Sequence, residues 1–261
     1  MAITPAYHVG EEELMNLRSL AEEDAEADQD YKSMEESFRV LLRKASELEN
    51  EEAPSPWTLV WAEDLEEDAQ HAAATMADQA EGIRRGVAVL ELRPGEEVVV
   101  ETLRRHTALA GARRAEAAEV VAVVRRLQEK ELRRLAAQEH LADQLVPDFL
   151  EDVAQMLGAS PPPSTPGKLA LAALAEGPAV ETQEMNARLA GSLRRGAAAF
   201  AARPGEEALV AALQRQADCA DAARATVEAF TASVRRTRAA GSSPPGGGGA
   251  LSDVSVSAPS I

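Results

Sequence analysis

One phrase occurs twice in the sequence. RRGVAVLELRPGEE begins at Arg84, and RRGAAAFAARPGEE begins at Arg194. Residues 84–126 and 194–236 align without a gap and are identical at 20 of 43 positions. Alanine bias accounts for some identities, but not for RPGEE recurring in register between paired arginines. We interpret the two segments as an internal duplication, which constrains the chain to two copies of one structural unit.

Composition favours helices in both copies. Aromatic residues make up 3% of the 261 residues, while alanine, leucine, glutamate and arginine dominate, a mixture typical of long helices. We therefore predict an all-α protein, an elongated helical bundle or coiled coil built from duplicated αα-hairpins. The helices are predicted at 11–50, 57–92, 94–145, 148–157, 168–201 and 204–239. Pro94 is expected in the first turn of its helix, where its missing N–H has no consequence.

Segments rich in proline and glycine divide the chain. GASPPPSTPG is typical of a linker, and GSSPPGGGG opens a stretch with too little apolar content to fold alone. The predicted regions are an N-terminal helical segment at 1–157, a linker at 158–167, a second helical repeat at 168–240 and a disordered tail at 241–261.

Apolar residues at helical spacing predict which face of the second helix is buried. That face is predicted to contain Leu59, Ala62, Leu65, Ala69, Ala72 or Ala73, Met76, Ala80, Ile83, Val87 and Leu90.

Charge is distributed unevenly. The net charge is −17, yet residues 1–70 carry −15 while residues 83–135 carry +4. An acidic chain is not expected to bind nucleic acid in bulk. Cys219 is the only cysteine, and neither a signal peptide nor an apolar run of membrane-spanning length is evident. These features predict a cytoplasmic protein, with peripheral attachment to membranes as an option.

Paired arginines recur along the basic segment. After the RPGEE turn, their spacing directs them toward a broad sector of one helix. They are candidate contacts for an anionic lipid or an acidic partner, because arginine binds phosphate through two parallel hydrogen bonds. The alternative is a solvated face with local Glu–Arg pairing. The candidate residues are Arg104, Arg105, Arg113, Arg114, Arg125, Arg126, Lys130, Arg133 and Arg134.

Catalytic groups are sparse. Glu67 and His71 are one helical turn apart and can offer a metal two ligands, but a ferritin-like di-iron site needs Glu-x-x-His motifs, and none occurs. Cys219 has no neighbouring histidine in the sequence and is interpreted as a packing residue. We therefore expect neither an enzyme nor a bound metal or cofactor.

Two stretches, MEESFRVLLRKASEL and PWTLVWAEDLEEDAQHAAATMADQ, carry a family resemblance. In the first, Met34, Glu35, Phe38 and Leu42 match a Met-Glu-x-x-aromatic-x-x-x-Leu pattern. The second is matched approximately by Trp57, Leu59, Leu65, Glu66, Ala69, His71 and Ala77. This order resembles the start of an F-BAR domain, the FCH region.

The resemblance implies an elongated antiparallel homodimer that binds anionic phospholipid membranes through basic residues. It implies a scaffold that links membrane shape to endocytosis or the cytoskeleton, with the candidate arginines as headgroup contacts. The alternative is a helical protein-interaction or structural array with no lipid binding. A metal-dependent, ferritin-like enzyme is the least favoured hypothesis.

Overall fold

The computed structural model describes residues 9–51, 54–158 and 166–242, and every regular element within them is an α-helix. The predicted all-α class is therefore confirmed. In chain order the helices are α1 (Glu11–Glu22), α2 (Asp24–Glu49), α3 (Thr58–Leu90), α4 (Glu97–Ala137), α5 (Ala142–Leu145), α6 (Asp148–Gly158), α7 (Pro166–Ala201) and α8 (Glu207–Ser242). The predicted linker and tail lie outside the described residues at 159–165 and from 243 onward.

A hairpin of α3 and α4 forms the centre of the N-terminal half. All nine positions predicted without an alternative for the inner face of α3 are buried, and Ala72 and Ala73 are both half-buried. The facing residues of α4 recur every three or four positions, as expected for one face of a helix. They include Leu103, Ala110, Ala117, Val120, Val124 and Leu127.

Helices α1 and α2 cover the hairpin at different points. Phe38 and Ala45 of α2 join a core cluster with α3 and α4. Leu14 and Leu17 of α1 join a second cluster beside the turn between α3 and α4. The predicted single helix 11–50 is divided at Glu23, where the backbone leaves helical geometry with φ −85° and ψ 25°.

Helix α4 is shorter than the predicted helix at both ends. It begins at Glu97, because Pro94 and Gly95 form the turn and do not belong to the helix. It ends at Ala137, where the next residue, Gln138, is extended with φ −79° and ψ 121°.

The RPGEE turn has the same geometry in both copies. Gly95 has φ 88° and Gly205 has φ 85°, values that residues with a Cβ atom rarely adopt. Proline followed by glycine in this conformation is typical of a type II turn. In each copy the glycine N–H donates to the side chain two residues later, Glu97 or Glu207, at 3.4 Å. The duplication seen in the sequence is thus a duplication of structure.

Two units compose the chain. The first contains the residues up to Leu141 together with Arg188–Asp218, and the second contains Ala142–Ala187 together with the residues from Cys219 onward. Helices α7 and α8 contribute to both.

The second unit has its own small core. Leu150 of α6, Ala179 of α7 and Val227 of α8 form one buried cluster. The buried side chain of Asn186 donates from Nδ2 to the carbonyl oxygen of Leu145 at 3.0 Å, which satisfies a carbonyl at the end of α5.

The left-handed conformation of Gly95 gives a test of the turn. Gly95→Ala is expected to lower the free energy of unfolding by about 1–2 kcal/mol, because L-residues are strained at this φ. Gly95→Asn is the matched control and should lose less, since asparagine tolerates this region. Urea denaturation measures both. Equal losses for the two variants would contradict the assigned conformation.

Candidate interaction surfaces on the helical repeats

Seven of the nine basic residues predicted to contact anionic partners bond acidic or carbonyl groups inside the protein. The pairs are Arg104 with Glu91, Arg105 with Asp24 and Asp28, Arg113 with Glu35 and Glu116, Arg125 with Glu66, Lys130 with the carbonyl of Glu49, Arg133 with Glu129 and Glu206, and Arg134 with Glu131. Arg114 and Arg126 are exposed, and neither makes an ion pair with the described residues.

Arg113 is the one member of this set that is buried. It is 8% exposed, and its Nη1 atom lies 2.8 Å from Glu35 and 2.9 Å from Glu116. A buried guanidinium requires such pairing, because an uncompensated buried charge costs several kcal/mol. Its position indicates a role in joining α2 to α4 and gives it little access to a partner.

A polar cluster connects the start of α2 to α4. His106 is fully buried, and its Nε2 atom lies 2.7 Å from Asp24 Oδ1. Because an ionised carboxylate only accepts hydrogen bonds, Nε2 is the donor. Arg105 donates to Asp24 and, at 3.2 Å, to Asp28. The ring of Tyr31 meets the His106 ring edge-on, with 5.8 Å between centroids.

Ionisation in this cluster is shifted in two directions. The hydrogen bond from His106, followed by that from Arg105, lowers the pKa of Asp24. Burial raises the pKa of Tyr31. The Tyr31 hydroxyl, His106 Nδ1 and Asp28 Oδ1 are buried and have no hydrogen-bond partner among the described residues.

The same cluster has a donor set that can hold a metal ion. One ligand atom each from Asp24, Asp28 and His106 lies within 4.8 Å of the others. The guanidinium of Arg105, however, already bonds both carboxylates. A divalent cation would have to displace this positive charge or bind beside it, which Coulomb repulsion disfavours. We therefore interpret the cluster as a set of structural contacts that joins α2 to α4.

The residues weighed in the sequence for other chemistry lie apart from this cluster. Glu67 and His71 are exposed on α3, one turn from each other. Cys219 is half-buried on α8 and has a free thiol.

An acidic cleft lies between α2 and α3. It has a volume of about 510 Å³ and is lined by Trp61, which is 41% exposed, and by apolar and charged side chains of both helices. Its carboxylates are those of Glu47, Glu51, Asp64 and Asp68, against one basic lining residue, Lys44. Asp64 is paired with Arg188. A partly exposed aromatic ring surrounded by carboxylates is suited to a basic partner, because opposite charge steers association.

The RPGEE turn of the first copy holds α1. Arg93 binds Glu11 through two hydrogen bonds of 2.7 and 3.3 Å. Glu96 accepts from Arg18 at 2.9 and 2.5 Å. The hydrogen bond from Arg93 lowers the pKa of Glu11. We call Gly86, Arg93 and Glu96 the first socket.

Gly86 admits a leucine of α1 into the first socket. A Cβ atom on Gly86 would lie 1.8 Å from Leu17 Cδ1, so a larger residue at this position would force the Leu17 side chain to move. Leu17 is 8% exposed and belongs to the apolar cluster beside the turn.

The second copy holds α4 with the corresponding residues, each 110 positions later. Arg203 donates to Glu129 at 2.9 Å, and Glu206 accepts from Arg133 at 2.8 and 3.4 Å. A Cβ atom on Gly196 would lie 2.5 and 2.8 Å from the two methyl carbons of Leu132. We call Gly196, Arg203 and Glu206 the second socket.

Phe200 completes the second socket. Its ring lies between two guanidinium groups, with 5.0 Å from its centroid to Arg133 and 4.6 Å to Arg203. Each contact is within the range of a cation–π interaction, which contributes about 0.5–1 kcal/mol at exposed sites. The first copy has Leu90 at the corresponding position.

The profile of a family described as a domain of unknown function, DUF8324, matches residues 33–140 and again residues 142–248. The chain therefore belongs to the DUF8324 family and contains two copies of its domain. No curated protein and no solved structure matches it.

None of the helices within residues 9–51, 54–158 and 166–242 has an apolar stretch that could span a bilayer.

The glycine of the second socket can be tested against a helical glycine in open space. Gly196→Ala is expected to lower the free energy of unfolding by about 1–3 kcal/mol, because both Leu132 methyls and its Cγ are too close for rotation to relieve the clash. Gly82→Ala is the control, because nothing lies within 4 Å of a Cβ there. It should raise stability by about 0.5–1 kcal/mol. Urea denaturation showing a gain for both variants would refute the close contact.

Asp24 gives the polar cluster a defined pH dependence. Its folded pKa lies below the ordinary value of 3.8, so its stabilising effect is present above that value and is lost as pH falls through the folded pKa. Asp24→Asn is expected to be less stable than the wild type near neutral pH. The difference should shrink as pH falls from 3.8 and vanish below the folded pKa of Asp24. Thermal melts across pH measure this, and a pH-independent difference would argue against the ionised pair.

Proposed function

We propose that the chain is a helical protein-interaction module, an array of two DUF8324 repeats that does not act through lipid. The observation that carries this proposal is the internal pairing of the α4 basic residues. Arg104, Arg125 and Arg133 lie within 2.6–2.8 Å of carboxylate oxygens. Each such pair carries no net charge, so the basic segment has a much weaker field than its sequence indicates.

Energetic magnitudes favour the same conclusion. An exposed ion pair is worth about 0–1 kcal/mol, so a phosphate could compete for one arginine at a time. Binding to an anionic membrane, however, gains only about 1 kcal/mol per basic residue near the surface. Arg114 and Arg126 alone would therefore contribute about 2 kcal/mol, which is marginal. The net charge of −15 on residues 1–70 opposes even this gain.

The acidic cleft supports a protein partner. Trp61 offers an aromatic anchor, and tryptophan is over-represented among residues that dominate binding energy at interfaces. The carboxylates of Glu47, Glu51 and Asp68 in the same cleft favour a partner segment with basic side chains.

The F-BAR-like scaffold expected from the resemblance stays a prediction. The matched family has no functional description, so the match does not test that scaffold. It also does not test the expected homodimer, the membrane surface or the absence of enzymatic activity. A membrane-binding form of this chain would depend on Arg114 and Arg126.

Liposome sedimentation tests the proposal. At low salt, the wild-type chain is expected to remain in the supernatant with vesicles containing phosphatidylserine or phosphoinositide. Arg114→Glu combined with Arg126→Glu should behave identically. If the wild type sediments and this double variant does not, the chain binds membranes through α4 and the proposal fails. Arg104→Glu is the matched control, because Arg104 is already paired with Glu91.

A further inference from the structure

Two different helices of this chain bind the two sockets in the same way. Leu17 and Arg18 of α1 bind the first socket, and Leu132 and Arg133 of α4 bind the second. In both cases the leucine meets the glycine, and the next residue, an arginine, binds the glutamate of the turn. A glutamate that precedes the leucine, Glu11 in α1 and Glu129 in α4, binds the arginine of the turn. It stands six positions before Leu17 and three positions before Leu132. The docked helix therefore has the same polarity on both sockets.

The two docked segments also share a sequence signature. Residues 17–21 are Leu-Arg-Ser-Leu-Ala, and residues 132–136 are Leu-Arg-Arg-Leu-Ala. Their separation is 115 positions, whereas the sockets repeat every 110, so the signature is not simply the same element of the duplicated unit. It lies near the N-terminus of the chain in one case and at the end of α4 in the other.

Burial within the signature follows the same order. The first leucine of each segment, Leu17 or Leu132, is 8% or 9% exposed and occupies the space above the socket glycine. The second leucine is half-buried at Leu20 and fully buried at Leu135. Apolar contacts thus hold the segment, and the two ion pairs fix its register.

We propose that the first socket is a helix-recognition site for the signature Leu-Arg-x-Leu-Ala. In this site α1 is the resident ligand, and a separate helix with the same signature takes its place when α1 is released. The partner helix has leucine and arginine side by side, a second leucine three positions after the first, and a glutamate before the pair that reaches Arg93. This inference rests on the proposed function, because it names the partner class of the protein-interaction module.

The first socket is better suited to exchange than the second. Helix α1 has 12 residues, no side-chain cap at its N-terminus and a break at Glu23 immediately after it. Helix α4 has 41 residues and packs against α3 along its length. Beside the first socket, Leu92 and Val98 are 84% and 80% exposed, whereas the corresponding residues of the second copy are alanines. A separate helix can gain apolar contacts there that α1 does not make.

The test uses the full chain and a fluorescent peptide of residues 123–138, which contains the α4 signature. In the chain, Leu17→Ala with Arg18→Ala weakens α1 at its own socket. Binding is followed by fluorescence anisotropy at physiological salt. A scrambled peptide of the same composition controls for attraction between a basic peptide and an acidic protein. Circular dichroism checks that the variant is folded.

We expect the weakened variant to bind the peptide at least about 10-fold more tightly than the wild type, because tethered α1 competes at a high effective concentration. Adding Glu96→Arg to the variant should reduce binding about 10-fold or more by reversing the charge at the socket. A peptide carrying Arg133→Glu should restore that binding. This charge exchange separates a specific socket from general attraction.

Equal binding of the native and scrambled peptides, or no binding to the folded variant, would overturn the inference. If the variant does not fold, the test uses the chain with Leu17 and Arg18 unchanged. A fluorophore on Met15→Cys, in a chain with Cys219→Ala, reports α1 directly, because Met15 is 63% exposed. Its anisotropy should fall with the native peptide only, and an identical response to the scrambled peptide would refute the site.

The liposome and peptide experiments distinguish a failure of the proposed function from a failure of this inference. Sedimentation with liposomes would remove the proposed function without changing the peptide result. A chain that stays in the supernatant and also ignores the native peptide would keep the proposed function and lose this inference.

Discussion

The close approach of a leucine to a glycine holds each repeat against the helix that covers it. Fully burying a leucine side chain contributes about 1.5–3 kcal/mol, whereas each exposed ion pair beside it contributes about 0–1 kcal/mol. The contacts of Leu17 with Gly86 and of Leu132 with Gly196 therefore stabilise the docked helices more than the ion pairs beside them do. The ion pairs of the turn act mainly on register, because they are satisfied only when arginine and glutamate face each other along the helix.

Charge separation along the sequence becomes charge pairing in the fold. The acidic N-terminal segment and the basic α4 segment differ strongly in the sequence, which favours an external anionic partner for the arginines. Helices α1 and α2 lie beside α4, and carboxylates such as Asp24 and Glu35 approach Arg105 and Arg113. The two residues of each such pair are 77 or more positions apart in the sequence. Patterns among neighbouring residues therefore do not indicate these pairs. The alternative weighed in the sequence, local Glu–Arg pairing on the helix surface, describes the pairs of Arg133 with Glu129 and of Arg134 with Glu131. It does not include the long-range pairs.

Periodicity predicted the parts of the fold that depend on local spacing. The buried face of α3 was predicted residue by residue, because a long helix with small apolar side chains has one clear face. The limits of α4 were predicted less well, because proline is compatible with a type II turn as well as with a first helical turn, and only the φ of Gly95 distinguishes them. The sockets were missed as sites. The sequence did contain a signal for them. A turn requires only Pro-Gly, so the repetition of the flanking arginine and glutamates indicated a further role.

The internal duplication also explains why the chain contains two docked segments. In the second copy, residues of α4 bind the turn. In the first copy, α1 supplies the corresponding signature. By the 110-residue alignment, the position of 132–136 corresponds to 242–246 in the second copy, which reads Ser-Ser-Pro-Pro-Gly and lacks the signature. The second copy therefore offers no equivalent segment to a further socket. Because α4 packs against α3 in three core clusters and α1 joins only one of them, the α1-covered socket is the place where this array can exchange an internal helix for an external one.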